Sequence, residues 1–378
     1  MANELTQKWT IKDLKGVGDV ELSLDDSKRA FVFFGSNGVG KTKTLEALFV
    51  AFLASNSEFD MPSRYGSFEN FFRELYSSNL KLQLFFDTEY IDIETLRLSE
   101  YRQSFAIAYV GAHRRSETDY NRISPLNVLG GFHQRKIDLF DTFEKALFTV
   151  DGFKSLGMYE SINQWFVLRA QSVNPYQKVG DNRKVEIDTI LTALHKLDNR
   201  FEKKLNVDAD GGVFLTIEGQ ERELSELSSG FISVVKIIQA IVSAYSAFTN
   251  EKDLLNIKGV VLIDEIESHL HVEWQTKIIP TLKDLFSNTT FYIATHSPLV
   301  LSQLDEGEAY LLKREEDGVV RSHVIDSPNK RILANVLRDA FGIDLNELKR
   351  ESMEDSSQDL AKYRLLKLLR NPAGDDSE

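Results

Sequence analysis

The chain has 378 residues, 42% hydrophobic and 27% charged, which suits a folded protein with a sizeable core, as one large domain or two to three smaller ones. A formal net charge of −13 excludes a uniformly basic nucleic-acid coat. The absence of cysteine excludes disulfides, thiolate metal sites and cysteine nucleophiles, and fits a reducing compartment.

No run is read as reaching the ~18–20 apolar residues of a membrane span. The polar start, MANELTQKWTIKDL, shows no secretory signal, so a cytoplasmic protein with no membrane partner is expected. Charge is uneven: residues 111–204 carry 15 Lys/Arg against 12 Asp/Glu in an otherwise acidic chain. That stretch is either a local nucleic-acid or partner surface or a solvated helical face of mixed charge.

Trp9 to Leu24 reads as two strands around a Gly-containing turn, with Val20, Leu22 and Leu24 alternating. Arg29 to Phe34 reads as a buried strand. It runs into Gly35-Ser36-Asn37-Gly38-Val39-Gly40-Lys41-Thr42, and Thr44 to Ala54 then has the apolar spacing of a helix. Strand, Gly-rich loop and helix in that order make G-x-x-x-x-G-K-T a phosphate cradle. Its glycines let backbone N–H groups turn towards a polyphosphate, and the helix start adds its positive end. Lys41 supplies a point charge for the β/γ-phosphates and the Thr42 hydroxyl an Mg²⁺ ligand, with Lys43 beside them.

Further along, Met61 to Gly66 reads as a loop and Phe68 to Tyr76 as a short helix. Lys81 to Phe86, Ile91 to Leu98 and Ser104 to Val110 read as strands. The β-rich start suits an antiparallel edge sheet joined to a parallel core. Beyond Gly111 the pattern turns helical, clearest over Ile137 to Phe148, Met158 to Leu168 and Val185 to Leu205. Gly130-Gly131, Asn174-Pro175 and Gly180-Asp181-Asn182 punctuate it. Val213 to Ile217 is a short strand.

Glu226 to Phe248 is one apolar-periodic segment that opens with Leu227-Ser228-Ser229-Gly230-Phe231. A small-residue turn opening into a helix can bind an anion, and equally can be an ordinary N-cap. Gly259 to Asp264 is a continuous apolar run ending in Asp264-Glu265, as a buried parallel strand with a ligand at its carboxyl end would be. Asp264 stands where an Mg²⁺-organising aspartate stands, and Glu265 can polarise a water aimed at a γ-phosphate. His269 and His271 are not read as metal ligands, because i, i+2 residues share no helical face and no third ligand is near. Trp274 to Phe286 is helical. Thr290 to Ala294 is a strand expected beside the Asp264 strand, with Thr295-His296-Ser297-Pro298 at its end. Ala309 to Leu312 and Val319 to Val324 form a hairpin, Arg331 to Phe341 and Leu345 to Leu369 are helical, and Ala373 to Glu378 is a disordered acidic tail.

Phosphate loop, S-S-G turn, apolar strand ending in Asp-Glu, then strand-His: this order resembles the ATPase head of the ATP-binding-cassette (ABC) type. IDEIESHLH and ATHSP are similar to the patterns of the soluble family shared by OLD-type proteins, RecF-like and SMC-like heads and bacterial phage-defence ATPases. Among the last, the chain looks most like the PtuA ATPases of Septu and retron systems, with the AriA ATPases of PARIS systems close behind.

The resemblance implies an α/β P-loop NTPase with a mixed sheet, a helical insertion and C-terminal helices. The expected division is a first nucleotide-binding lobe over 1–113, the insertion over 114–210, a second lobe over 211–328 and a helical cap with its tail over 329–378. ATP and Mg²⁺ are the implied cofactors. Gly35 to Lys43 would hold phosphates, Thr42 and Asp264 the Mg²⁺, Glu265 would be the base and His296 the switch histidine. Ser228, Ser229 and Gly230 would complete the site of a second chain, giving a homodimer or higher oligomer.

The implied role is an ATPase that senses infection and controls a separate nuclease or toxin, HNH-type or similar, with nucleic acid reaching the insertion. The alternatives are a RecF-like DNA repair ATPase and a scaffold that binds ATP without turning it over. Ile266 and Phe231 depart from the family pattern, which has proline and, in transporters, glutamine there. No glutamine occupies the nucleotide-sensing loop: Gln103 and Gln134 lie off the strand edge, leaving His113 or Arg114. Fewer than 70 residues follow Leu312, too few for the nuclease domain that OLD-type proteins carry.

Overall fold

The computed structural model describes residues 6–59, 72–77, 81–86, 91–94, 103–116, 129–149, 151–173, 175–178, 181, 183–326 and 328–330. The loop expected at Met61 to Gly66, the helices expected after Arg331 and the acidic tail lie outside them.

Strands β1 (Thr6–Leu14) and β2 (Gly18–Asp25) form a hairpin, and β3 (Ala30–Phe34) feeds the phosphate loop and helix α1 (Lys41–Ser55). Next come β4 (Glu74–Ser77), β5 (Lys81–Phe86), β6 (Ile91–Glu94) and β7 (Ala106–Val110). Helices α2 (Phe132–Phe148), α3 (Ile162–Gln171) and α4 (Lys184–Leu197) precede β8 (Phe201–Val207), β9 (Val213–Ile217) and β10 (Gln220–Glu223). The chain continues through α5 (Ser229–Phe248), β11 (Gly259–Ile263), α6 (Val272–Gln275), α7 (Ile278–Leu285), β12 (Thr289–Ala294), α8 (Pro298–Leu301), β13 (Ala309–Arg314) and β14 (Val320–Val324).

Eleven strands form one mixed sheet in the order β6-β5-β4-β1-β2-β14-β13-β3-β12-β11-β7. From β13 to β7 every neighbouring pair is parallel. From β6 to β2 every pair is antiparallel. The two halves meet where β14 runs parallel to β2. Strands β3, β7 and β11 are buried at every residue, as expected for apolar runs covered on both faces. Helix α1 packs against β7, β11 and β12, and Phe49 sets its ring edge-on to Tyr109, Phe143 and Phe153. Each such pair adds roughly 0.5–1.5 kcal/mol beyond the area it buries.

Four expectations change. Phe68 to Tyr76 was expected to be helical, but Glu74–Ser77 is strand β4, with Leu75 opposite Ile11 and Ser77 opposite Trp9. A segment this short follows the strand beside it rather than its own propensity. The helix expected to run to Leu205 stops at Leu197. Asp198 then accepts from the Arg200 N–H at 3.0 Å, and β8 pairs antiparallel with β9 to open a three-stranded sheet with β10. The helix expected over Trp274 to Phe286 is two helices, because Pro280 needs the first turn of α7, where no N–H is called for. Lastly, Ser229–Phe248 is by length and composition apolar enough to span a membrane, yet 94% of its most apolar 18 residues are buried inside the protein. It is a core helix that packs against β7.

Candidate nucleotide site

Parallel pairing of β3, β12 and β11 brings the three chain segments of interest to neighbouring strand ends. The loop after β3 needs glycine at two points. A Cβ on Gly35 (φ +145°) would stand 2.5 Å from the Leu312 carbonyl, and one on Gly40 (φ +108°) 2.6 Å from Val17 Cγ1. Sequence spacing alone shows the motif. Only the packing of β13 and the β1–β2 turn shows why those glycines cannot change.

Lys41 is buried and folds back over the loop, donating to the carbonyls of Gly35 (2.8 Å) and Ser36 (3.1 Å). Burial pushes its ammonium down to about 8, against the pull of Glu267, Asp264 and Glu265. Ser36, Asn37 and Gly38 are exposed and Val39 is buried. The exposed Lys43 pairs with Glu46 at 2.6 Å.

The Thr42 hydroxyl donates to Asp264 Oδ1 at 2.9 Å, joining the loop to the end of β11 across 222 residues of chain. Asp264 is 4% exposed. Its pKa is raised to about 6, by burial first and by neighbouring Glu265, against the Thr42 hydrogen bond. A hydroxyl and a crowded carboxylate side by side are hard oxygen donors of the kind Mg²⁺ takes from a protein when a nucleotide completes its shell. A divalent cation would supply the opposite charge that burial and the nearby Glu265 leave Asp264 without, so the donors present fit the ion.

Glu265 has a left-handed backbone (φ +45°), which costs a non-glycine residue roughly 1–2 kcal/mol. Its side chain accepts from Ser268 Oγ at 3.0 Å. One side chain passed over in the sequence holds this corner. Arg115 is fully buried and donates to the carbonyls of Gly111 (3.0 Å), Val110 (3.4 Å), Asp264 (2.5 Å) and Glu265 (2.7 Å). Burial lowers its pKa to about 10, so it stays a cation. His113 and Arg114, the residues considered for the sensing loop, are exposed, and Arg114 lends its carbonyl to Lys236 at 2.5 Å. Gln103 pairs by its backbone with the end of α1, and Gln134 donates to Asp138.

A second residue missed in the sequence is Glu267. Its carboxylate accepts from Thr295 Oγ1 (2.7 Å) and from the His296 backbone N–H (2.5 Å), fixing the start of the segment after β12. His296 is exposed at its outer side; partial desolvation and the Lys41 charge lower its pKa against the pull of Glu267 and Glu265. The repeated acids in IDEIESHLH were the one available signal for Glu267.

Ser228 caps α5, its hydroxyl accepting from the Phe231 N–H at 3.3 Å. Ser228 and Ser229 are exposed, while Gly230 is buried against the His271 backbone. Phe231 stacks on Phe201 (4.7 Å, 8° between planes), which seats the three-stranded sheet on the start of α5. Among the described residues, no hydrogen bond joins Ser228–Gly230 to residues 35–43 of the same chain. His269 Nδ1 lies 3.3 Å from Ser116 Oγ, and His271 precedes α6.

Strand order, the Gly-rich loop and the carboxylates two strands away give the α/β mixed sheet, with parallel core and antiparallel edge, expected of the ABC-type head that the motifs resemble. Comparisons with known proteins agree with the resemblance read from the motifs. The chain is similar to the Septu protein PtuA of Bacillus thuringiensis, 25% identical over 353 residues that cover 88% of this chain and 84% of that one. It is 39% identical over 89 residues to the Retron Ec83 probable ATPase of Escherichia coli, 23% of this chain and 16% of that protein. Residues 159–302 match the family model described as "AAA domain, putative AbiEii toxin, Type IV TA system", a span that holds the S-S-G turn, Asp264-Glu265 and His296 but not the phosphate loop. Among solved structures, the SMC head bound to the C-winged helix domain of ScpA overlaps with a TM-score of 0.47 at 14% identity, over 85% of this chain and 98% of that one. At that score the fold rests on the strand order above.

Proposed function

We propose that the protein is an ATP-binding and Mg²⁺-dependent ATP-hydrolysing subunit of an anti-phage defence system. Its ATP-dependent assembly would control a separate nuclease or toxin. The hydrogen bond from Thr42 to Asp264 carries the ATPase reading, because it sets two Mg²⁺ donors side by side at the phosphate loop. The similarity to a Septu protein and a retron ATPase supports the defence role.

Thr42 and Asp264 would hold Mg²⁺, which supplies charge neutralisation at the β- and γ-phosphates. Lys41 exchanges the Gly35 and Ser36 carbonyls for phosphate oxygens, and Gly35 to Thr42 offer their N–H groups. Glu265 orients the attacking water and receives its proton, and His296 donates towards the γ-phosphate. The Ser228–Gly230 turn, whose two serines are exposed, is taken to serve a second copy of the chain, giving a homodimer with two shared ATP sites.

Nucleotide affinity should follow a bell with limbs set by two groups. Asp264 is neutral below about pH 6, so Mg²⁺·ATP binding strengthens as pH rises through that value. Lys41 loses its proton above about 8, so binding weakens beyond it. In the nucleotide-free protein, the raised Asp264 pKa costs stability as pH rises from its ordinary value of 3.8 towards about 6. Titration of Mg²⁺·ATP from pH 5 to 9 tests this, and a flat profile would remove Asp264 from the metal site.

Assembly has its own test. Sedimentation of Glu265→Gln with Mg²⁺·ATP should show a dimer or larger species, and adding Ser229→Arg should return it to the nucleotide-free size. Assembly that ignores Ser229→Arg would place the second-chain contact elsewhere.

A further inference from the structure

Six described residues other than glycine hold a left-handed backbone, and three of them, Arg114 (φ +63°), Glu265 (φ +45°) and His269 (φ +63°), stand around the acidic corner. Such residues are uncommon and persist where their surroundings hold them. Glu265 is held through its carbonyl by Arg115. The other two are held from one helix. Lys236 on α5 donates to the Arg114 carbonyl at 2.5 Å, and Ser233 Oγ donates to the His269 carbonyl at 3.4 Å.

These two side chains belong to a single stripe. Ser229, Ser233 and Lys236 are spaced i, i+4, i+7 and so share a face of α5, and the Ser233 hydroxyl also donates to the Ser229 carbonyl at 2.9 Å. The stripe opens in solvent at Ser229, within the S-S-G turn, and ends at a lysine 1% exposed. An ammonium is costly to bury, and an apolar residue would serve a core helix at less cost. Lys236 instead aims its charge at the loop after β7. There Arg115 follows Arg114 and donates to the Asp264 and Glu265 carbonyls. Ser116 Oγ meets His269 Nδ1 at 3.3 Å and closes the two loops on each other.

Left-handed and right-handed helical backbone are separate allowed regions, so each held joint has a second arrangement open to it. A packed helix moves as a unit and switches between arrangements rather than deforming. A displacement at Ser229 is thus felt at the Arg114 and His269 carbonyls.

We infer that Lys236 is a positioning residue, with Ser233 as its support. It ties the helix of the S-S-G turn to the loop that carries Arg115, so that a second copy of the chain engaging Ser228–Gly230 sets Glu265 in place for hydrolysis. The inference rests on the ATPase reading above and adds to it the control of the base.

The test is ATP hydrolysis per chain over a dilution series that spans assembly, with sedimentation and Mg²⁺·ATP binding measured on the same samples. In wild type, kcat should rise on assembly. Lys236→Met keeps the buried stem and loses the donor, so assembly and binding should match wild type. Its assembled kcat should be about 10–30-fold lower with KM little changed, which removes the rise. A purely structural role would lower the active fraction and leave the ratio of assembled to unassembled rates as it was. Lys236→Arg can still donate to the carbonyl and should recover most of that ratio. Should Lys236→Met not fold, Ser233→Ala carries the test, with an expected drop of about 2–5-fold in the same ratio. The inference is overturned if the ratio stays at the wild-type value in Lys236→Met, or in Ser233→Ala where the first does not fold. It is also overturned if Lys236→Met folds but loses assembly or nucleotide binding, since Lys236 would then serve the interface or the phosphate loop. Wild type that hydrolyses no ATP would overturn the ATPase reading and this inference with it, whereas hydrolysis that does not rise on assembly would overturn the inference alone.

Discussion

Glu265→Gln is expected to slow ATP hydrolysis about 10²–10⁴-fold while leaving ATP binding intact, the usual scale for removing a positioned general base. The substitution is nearly isosteric and preserves hydrogen bonding to Ser268, whose hydroxyl touches Glu265 Oε2 at 3.0 Å. What disappears is the ability to take a proton from water. Lys41→Ala should differ in kind: it removes the point charge for the phosphates and should abolish binding as well as turnover. Phosphate release together with nucleotide-binding assays on both variants separates the two. Equal, near-zero release by wild type and Glu265→Gln would make the ATP structural and the protein a scaffold. A RecF-like repair role predicts duplex binding that weakens steeply with salt, and a flat salt series would count against it.

Arg115→Met should cost about 3–5 kcal/mol of unfolding free energy, the scale for breaking a buried charged network. The Gly111 and Asp264 carbonyls lose the guanidinium, and the corner that holds Glu265 at φ +45° loses its clamp. Urea denaturation measures the stability. Arg115→Lys separates positioning from folding, because it keeps a buried cation but cannot reach four carbonyls at once. It should recover part of the stability and still show a lowered kcat with little change in KM. Full recovery of kcat by lysine would reduce Arg115 to a structural charge.

Much of this site is legible in the chain because its parts are local. A strand, a glycine loop and a helix start occupy consecutive residues, and Gly35 to Thr42 carry their chemistry by spacing. The Asp264-Glu265 pair is equally plain, since an apolar run that ends in two carboxylates can hardly be surface. Arg115 and Glu267 were not legible. Apart from the Thr295 hydroxyl on Glu267, their partners are backbone carbonyls and an N–H group brought near by strand pairing, and backbone atoms leave no mark in a sequence.

The same division runs through the fold. Alternation and apolar runs specify most of the strands, and the parallel core follows from their composition. Glu74–Ser77 became a strand because β1 was there to pair with it, and Phe201–Val207 because β9 was. An α/β head, its glycine-rich loop of phosphate-cradle pattern and its acidic pair are all written in consecutive residues. Tertiary structure alone decided that Thr42 meets Asp264, that Arg115 holds the acidic corner and that Ser229–Phe248 is a core helix. It also brought Lys236 to the Arg114 carbonyl, since contacts between residues distant in the chain depend on the order in which strands and helices pack.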